Sequence, residues 1–152
     1  MSVEGNPPDQ AERVSESPRE RIERLVAEGR LPGSALAEAE ALWRERLRDG
    51  VQLPNGDVVR VTEDDLYHVL VDDRIWRHPK RIELALTHVF EIRQARGGRR
   101  LAFSHWMEED QDCLAVIVLQ QDRLWSVHLV DWRRIQRYIR RGGDVLWKRF
   151  EP

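Results

Sequence analysis

VFEIRQARGGRRLAFSHWMEEDQDCLAVIVLQQDRLWSVHLV, residues 89–130, decides the fold. Apolar and polar residues alternate in VFEIRQAR and again in RRLAFSHWM, and Gly97-Gly98 between them suits a hairpin turn. EEDQD reads as a second turn. CLAVIVLQ is apolar at successive positions, as a central strand covered on both faces should be. Gln121-Asp122 turns the chain again, and RLWSVHLV alternates. Four consecutive strands joined by short turns predict an antiparallel meander.

The flanks read as helices. Ser17-Pro18-Arg19-Glu20 is a capping box with Pro at the first helical position, so a helix should run from Pro18 to about Glu28 and stop at Gly29. Ser34 caps a second helix through Arg48, whose stripe Leu36, Ala39, Trp43, Leu47 has helical spacing and faces a core or a partner. Residues 51–61 read as a small hairpin around Asn55-Gly56. Thr62 with Asp65 caps a short helix, and Pro79 opens another that ends at Thr87 or His88. After the strands, Asp131 caps WRRIQRYIRR with apolar Trp132, Ile135, Tyr138 and Ile139, and DVLWKRF suits a last edge strand. The expected fold class is α+β: N-terminal helices, a four-stranded antiparallel meander and a C-terminal helix. The expected division is an acidic disordered tail (1–16), a helical arm (17–50) and an α+β domain (51–152).

Composition narrows the function. The 152 residues include 23 Arg but only two Lys, Lys80 and Lys148. Residues 1–73 carry 17 acids against 9 bases; residues 74–152 carry 10 acids against 16 bases. The second half is therefore basic, and the acidic first half tempers it or meets a partner. The single Cys113 sits in an apolar run and reads as an inert thiol, with no internal disulfide open to it. Neither a secretory signal nor a membrane-length apolar run is visible, so the chain reads as soluble and cytoplasmic, with no membrane contact. The five His are scattered, without HxxxH or CxxC spacing, and no P-loop, GxGxxG or GxSxG occurs. No cofactor and no metal are expected.

What remains is His and Arg, a set that suits cleavage of RNA by its own 2′-hydroxyl. The substrate supplies the nucleophile, and the protein needs a base, an acid and a cation for the phosphate. On RLWSVHLV, strict alternation puts Leu124, Ser126, His128 and Val130 on one face. A Ser and a His there are costly unless bonded or used. The catalytic candidates are His78, His128, Ser126 and His105; His68 and His88 read as structural or surface positions. The phosphate-binding candidates are Arg74 and Arg77 at the helix entry and Arg93, Arg96, Arg99 and Arg100 around the first hairpin. Trp76 and Trp106 are placed to stack on a base. Each candidate also has an ordinary structural explanation: a helix-entry residue, a satisfied sheet histidine, a solvated basic face.

Arg77-His78-Pro79, followed by IELALTHVFEIRQ, a basic hairpin, CLAVIVLQ and RLWSVHLV, resembles the barnase–EndoU–colicin–RelE-like (BECR) nuclease group over roughly residues 66–140. The resemblance implies a metal-independent ribonuclease of toxin or phage type, with acid, base and phosphate ligands on the sheet and on the helix before it. It carries over to Arg77, His78, Ser126 and His128. Two other readings stay open. One is a non-enzymatic protein that docks on a larger bacterial or phage machine through the acidic helices and their Leu36, Trp43, Leu47 stripe. The other is a domain that binds RNA without cutting it.

Overall fold

The computed structural model describes residues 16–70 and 78–149. The predicted tail thus lies outside the described residues except for Glu16, whose carboxylate accepts a bond from Arg24 (2.8 Å). The described residues form five α-helices and seven strands: α1 Pro18–Ala27, α2 Ala35–Leu42 running into a π turn at Trp43–Leu47, β1 Val51–Gln52, β2 Val58–Val59, α3 Glu63–Val69, α4 Lys80–Thr87, β3 Val89–Gln94, β4 Arg99–Glu108, β5 Gln111–Gln120, β6 Arg123–Val130, α5 Trp132–Arg141 and β7 Val145–Lys148.

The meander forms as expected and gains a strand. The sheet order is β6-β5-β4-β3-β7, antiparallel throughout, so Val145–Lys148, within the expected last edge strand, closes the edge beside β3. Glu109 and Asp110 both take positive φ in the two-residue β4–β5 turn, the geometry that matches strand twist. Residues Leu114–Ile117 of β5 are buried at every position, because both sheet faces are covered.

One face carries Ile92, Ala102, Trp106, Ala115, Ile117, Leu119, Val127 and Leu129, and packs against Ile22 and Leu25 of α1, Ala39 of α2, Leu66 and Val69 of α3, and Ile82, Ala85 and Leu86 of α4. The other face carries Phe103, Leu114 and Val116 beneath Ile135 of α5, with Tyr138 and Ile139 alongside. The result is three layers: helices, sheet, one helix.

The separate helical arm is corrected here. Leu47 is fully buried, Leu36 and Trp43 pack against the same core, and the Trp43 indole Nε1 donates to the Val61 carbonyl (2.8 Å). Apolar residues at helical spacing bury against whatever core is nearest, and here that is the chain's own sheet. The stripe is therefore not a free docking surface. Capping boxes form at Ser17/Glu20 and Thr62/Asp65, but Ser34 has helical backbone angles and no capping bond. Strict alternation on β6 also fails. A register shift between Val118 and Leu119 of β5, opposite the start of β6, turns Leu124 to the same core as Val127 and Leu129.

Candidate functional site

A cavity of about 250 Å³ opens on the α5 face of the sheet, lined by His88, Phe90, His105, Trp132 and Arg149. Each wall has a local cause. His88 is the C-cap of α4 and leads into β3. Its carbonyl accepts from the His105 amide (3.3 Å), which sets the two histidines on adjacent strands. Trp132 is the first residue of α5, placed by Asp131, whose side chain accepts from the Arg134 amide (2.8 Å). Arg149 follows β7, its amide donating to the Phe90 carbonyl (2.8 Å).

Hydrogen bonds fix the imidazoles. His88 Nδ1 lies 2.9 Å from the Leu84 carbonyl, which can only accept, so Nδ1 carries the proton. Thr87 Oγ1 already donates to the Glu83 carbonyl (2.9 Å) and sits 3.1 Å from the same Nδ1 as a second acceptor. Nε2 of His88 has no hydrogen-bond partner among the described residues. His105 Nε2 donates to Asp112 Oδ1 (2.7 Å), leaving Nδ1 free. The other Asp112 oxygen accepts from Trp132 Nε1 (3.2 Å), and the Trp132 ring lies 5.0 Å from the His105 ring, tilted by 53°. The bond from His105 holds the Asp112 carboxyl below its usual range, and the bond from Trp132 adds to this. Arg149 is exposed and has no side-chain partner among the described residues.

Of the histidines expected to be catalytic, the cavity receives His105 alone. His78 is exposed at the start of α4 while His88 ends it, and ten helical steps separate them by ~15 Å. His128 shares the sheet face of His105 but stands opposite Val116, whereas His105 stands opposite Leu114. Two strand spacings and two residues of offset put them ~12 Å apart, and Ile135 of α5 covers the Phe103–Leu114–Val116 surface between them. Ser126 lies farther along β6, opposite Val118.

The hairpin arginines are dispersed rather than gathered. Arg93 pairs with the buried Glu91, and its guanidinium also reaches the Gly143 carbonyl (3.4 Å). Arg99 donates to Gln120 (2.8 Å) and stacks over Trp125 at 4.7 Å. Arg100 points the other way, to Asp57 (3.2 Å) and the Gln121 carbonyl (2.9 Å). Arg96 alone lines an open cavity. Arg74, Arg77 and Trp76 lie outside the described residues. Trp106 is buried and donates to Glu108 (2.7 Å), so it offers no stacking face. Burial pushes the Cys113 thiol up, which suits an inert role.

Sequence reasoning missed His88, Asp112, Trp132 and Arg149. The signal for His88 was its position just after one helix and just before the first strand, one hairpin away from His105. Among the described residues no group of three His, Cys, Asp or Glu could hold a metal ion, and no helix is long and apolar enough to cross a membrane. The chain matches no family model, no curated protein and no solved structure.

Proposed function

We propose that this chain is a metal-independent ribonuclease whose site is the His88–His105–Arg149 cavity. The observation that carries the reading is the meeting of two imidazoles, each fixed by a partner on one nitrogen and free on the other, with an unpaired guanidinium in one recess. His88 Nε2 takes the proton of a ribose 2′-hydroxyl. The 2′-oxygen bonds to phosphorus, the bond from phosphorus to the 5′-oxygen breaks, and the leaving oxygen takes the proton of His105 Nδ1. Asp112 offsets the positive charge of the protonated His105 ring and fixes its orientation. Arg149 faces the charge that develops on the phosphoryl oxygens. The product is a 2′,3′-cyclic phosphate, and water attack with the two roles exchanged restores both rings.

The order of one short helix followed by a meander, together with this recess, supports placing the chain near the BECR group as a toxin- or phage-type enzyme acting on cytoplasmic RNA. The test is incubation of the full chain with single-stranded RNA in chelator. Cyclic-phosphate products should appear, and His88→Ala and His105→Ala should each slow the reaction by about 10²-fold or more. Unchanged rates in both variants would end the reading. An RNA-binding domain that does not cut is the second reading, favoured by the exposed arginines of α5. Tight binding with no product under any condition would select it.

A further inference from the structure

The recess that holds the histidines is the first of three openings along one helix. At the start of α5, Trp132 lines the histidine cavity. Midway, a cleft of about 150 Å³ is lined by Arg134, Arg137, Tyr138 and Arg141. Beyond its end lies a cavity of about 530 Å³, lined in part by Arg96, Arg141, Gly142 and Gly143. Arg134, Arg137 and Arg141 are three and four residues apart, so they form one stripe along the helix.

That stripe is electrostatically unusual in this molecule. The helix carries Arg133, Arg134, Arg137, Arg140 and Arg141 and no acid, and all five are exposed. Among the described residues, nine arginines elsewhere are matched to carboxylates: Arg19, Arg24, Arg30, Arg46, Arg60, Arg81, Arg93, Arg100 and Arg123. The α5 guanidiniums pair with none among the described residues. Acids near the helix are engaged or lie at its ends. Asp131 caps it, Asp112 serves His105 and Trp132, and Asp144 follows the helix end. Uncompensated like charges along a short helix cost stability, so an anionic ligand is what they suit.

The helix is also pinned in place. A Cβ at Gly142 would come within 2.9 Å of the Arg93 side chain, and one at Gly143 within 2.9 Å of the Gln94 carbonyl oxygen. Two glycines thus let the helix end close on β3, which keeps the stripe in line with the cavity. The apolar residues Ile135, Tyr138 and Ile139 are turned to the sheet, which leaves Trp132 as the single exposed large apolar residue of the helix, too little apolar surface to sink into a bilayer.

We infer that α5 is a phosphate track for a single-stranded polyribonucleotide, which enters the histidine cavity at one end and leaves past Arg96 at the other. The placement of the scissile linkage rests on the ribonuclease reading; the track itself does not. The ten-residue helix is ~15 Å long, which about four nucleotides pass at a stacked rise of ~3.4 Å. At the mouth of the histidine cavity Trp132, at 46% exposure, offers a face to one unpaired base.

The test separates binding from cleavage. A labelled eight-nucleotide RNA, 2′-O-methylated throughout so that it cannot be cut, is titrated by anisotropy from 50 to 200 mM salt. The triple variant R134Q/R137Q/R141Q should weaken binding by about 30-fold or more at low salt and flatten the salt slope by about two, given ~0.7 per phosphate contact on single strands. The matching R134K/R137K/R141K protein should keep most of the affinity, which excludes an effect of misfolding. A duplex of the same sequence should bind at least about tenfold more weakly. An unchanged dissociation constant and slope in the Gln variant, a duplex bound as tightly as the single strand, or binding to phosphatidylserine vesicles without RNA binding overturns the track. Loss of cleavage in His105→Ala with this binding intact bears only on the ribonuclease reading.

Discussion

Replacing Leu47 by Ala tests whether the acidic helices are part of the fold or an arm held out for a partner. Leu47 has no exposed surface and lies in the core shared by α1, α2, α3, α4 and the sheet. The carbons removed are worth about 2.4 kcal/mol of transfer energy at ~0.8 kcal/mol per methylene. The cavity left between helix and sheet collapses only in part, which brings the cost to about 3–4 kcal/mol. For a chain of this size each kcal/mol lowers Tm by about 2–4 °C, so the variant should melt about 6–16 °C below wild type. Scanning calorimetry and guanidinium unfolding read this directly. The unfolding should stay a single transition, since one core runs through both parts of the chain. A shift under about 2 °C, or a separate early transition confined to helical signal, would refute the reasoning and restore residues 17–50 as a detachable arm.

Other expectations follow from named contacts. Asp112→Asn keeps the shape but loses the charge that holds His105 Nε2 and Trp132 Nε1; RNA cleavage should fall by about 10–100-fold in kcat with little change in KM, read by steady-state kinetics. Ser17→Ala removes the bond to the Glu20 amide (3.1 Å) and should cost about 1 kcal/mol by guanidinium unfolding. Glu20, held low by its bonds to Ser17, Asp112, held low by His105, and Asp122, held low by Arg60, all have carboxyl pKa values depressed in the folded chain. Their contribution is full above the unfolded carboxylate range and is lost as pH falls below about 4. The denaturation midpoint should therefore drop between pH 5 and pH 3, and Asp122→Asn should make that drop shallower.

The strands were legible because each carries its own evidence. The alternation in RRLAFSHWM, the turn at Gly97-Gly98 and the doubly apolar CLAVIVLQ are local signals, and a meander needs only sequential pairing. The β6 face assignment failed for a reason that alternation cannot register. One residue of register shift at Val118/Leu119 sends Leu124 to the side of Val127. The helical arm failed for a related reason. A stripe such as Leu36, Trp43, Leu47 announces that a face will be buried, but not by what. Only the three-dimensional closeness of Trp43 to the Val61 carbonyl settles that the chain buries it against itself.

The site was harder to read because its members meet by topology rather than by motif. His88 and His105 are neighbours because a hairpin brings the end of α4 beside the middle of β4; Arg149 joins them because β7 returns to the β3 edge. None of these approaches is written in a spacing of two or three residues. The arginines misled in the opposite direction. Those of the hairpin stood out by density, yet Arg93, Arg99 and Arg100 are occupied by Glu91, Gln120 and Asp57. The decisive property of a binding cation is the absence of a carboxylate beside it, and sequence shows only the carboxylates next to it along the chain. Among the described residues, WRRIQRYIRR is the one helix where the two coincide. It has no acid within it to pair at i±4, and the sheet beneath presents Phe103, Leu114 and Val116 rather than carboxylates. An acid-free basic helix packed on an apolar sheet face must leave its guanidiniums to solvent or to a ligand, and that much could have been argued from the decapeptide and the apolar strands together.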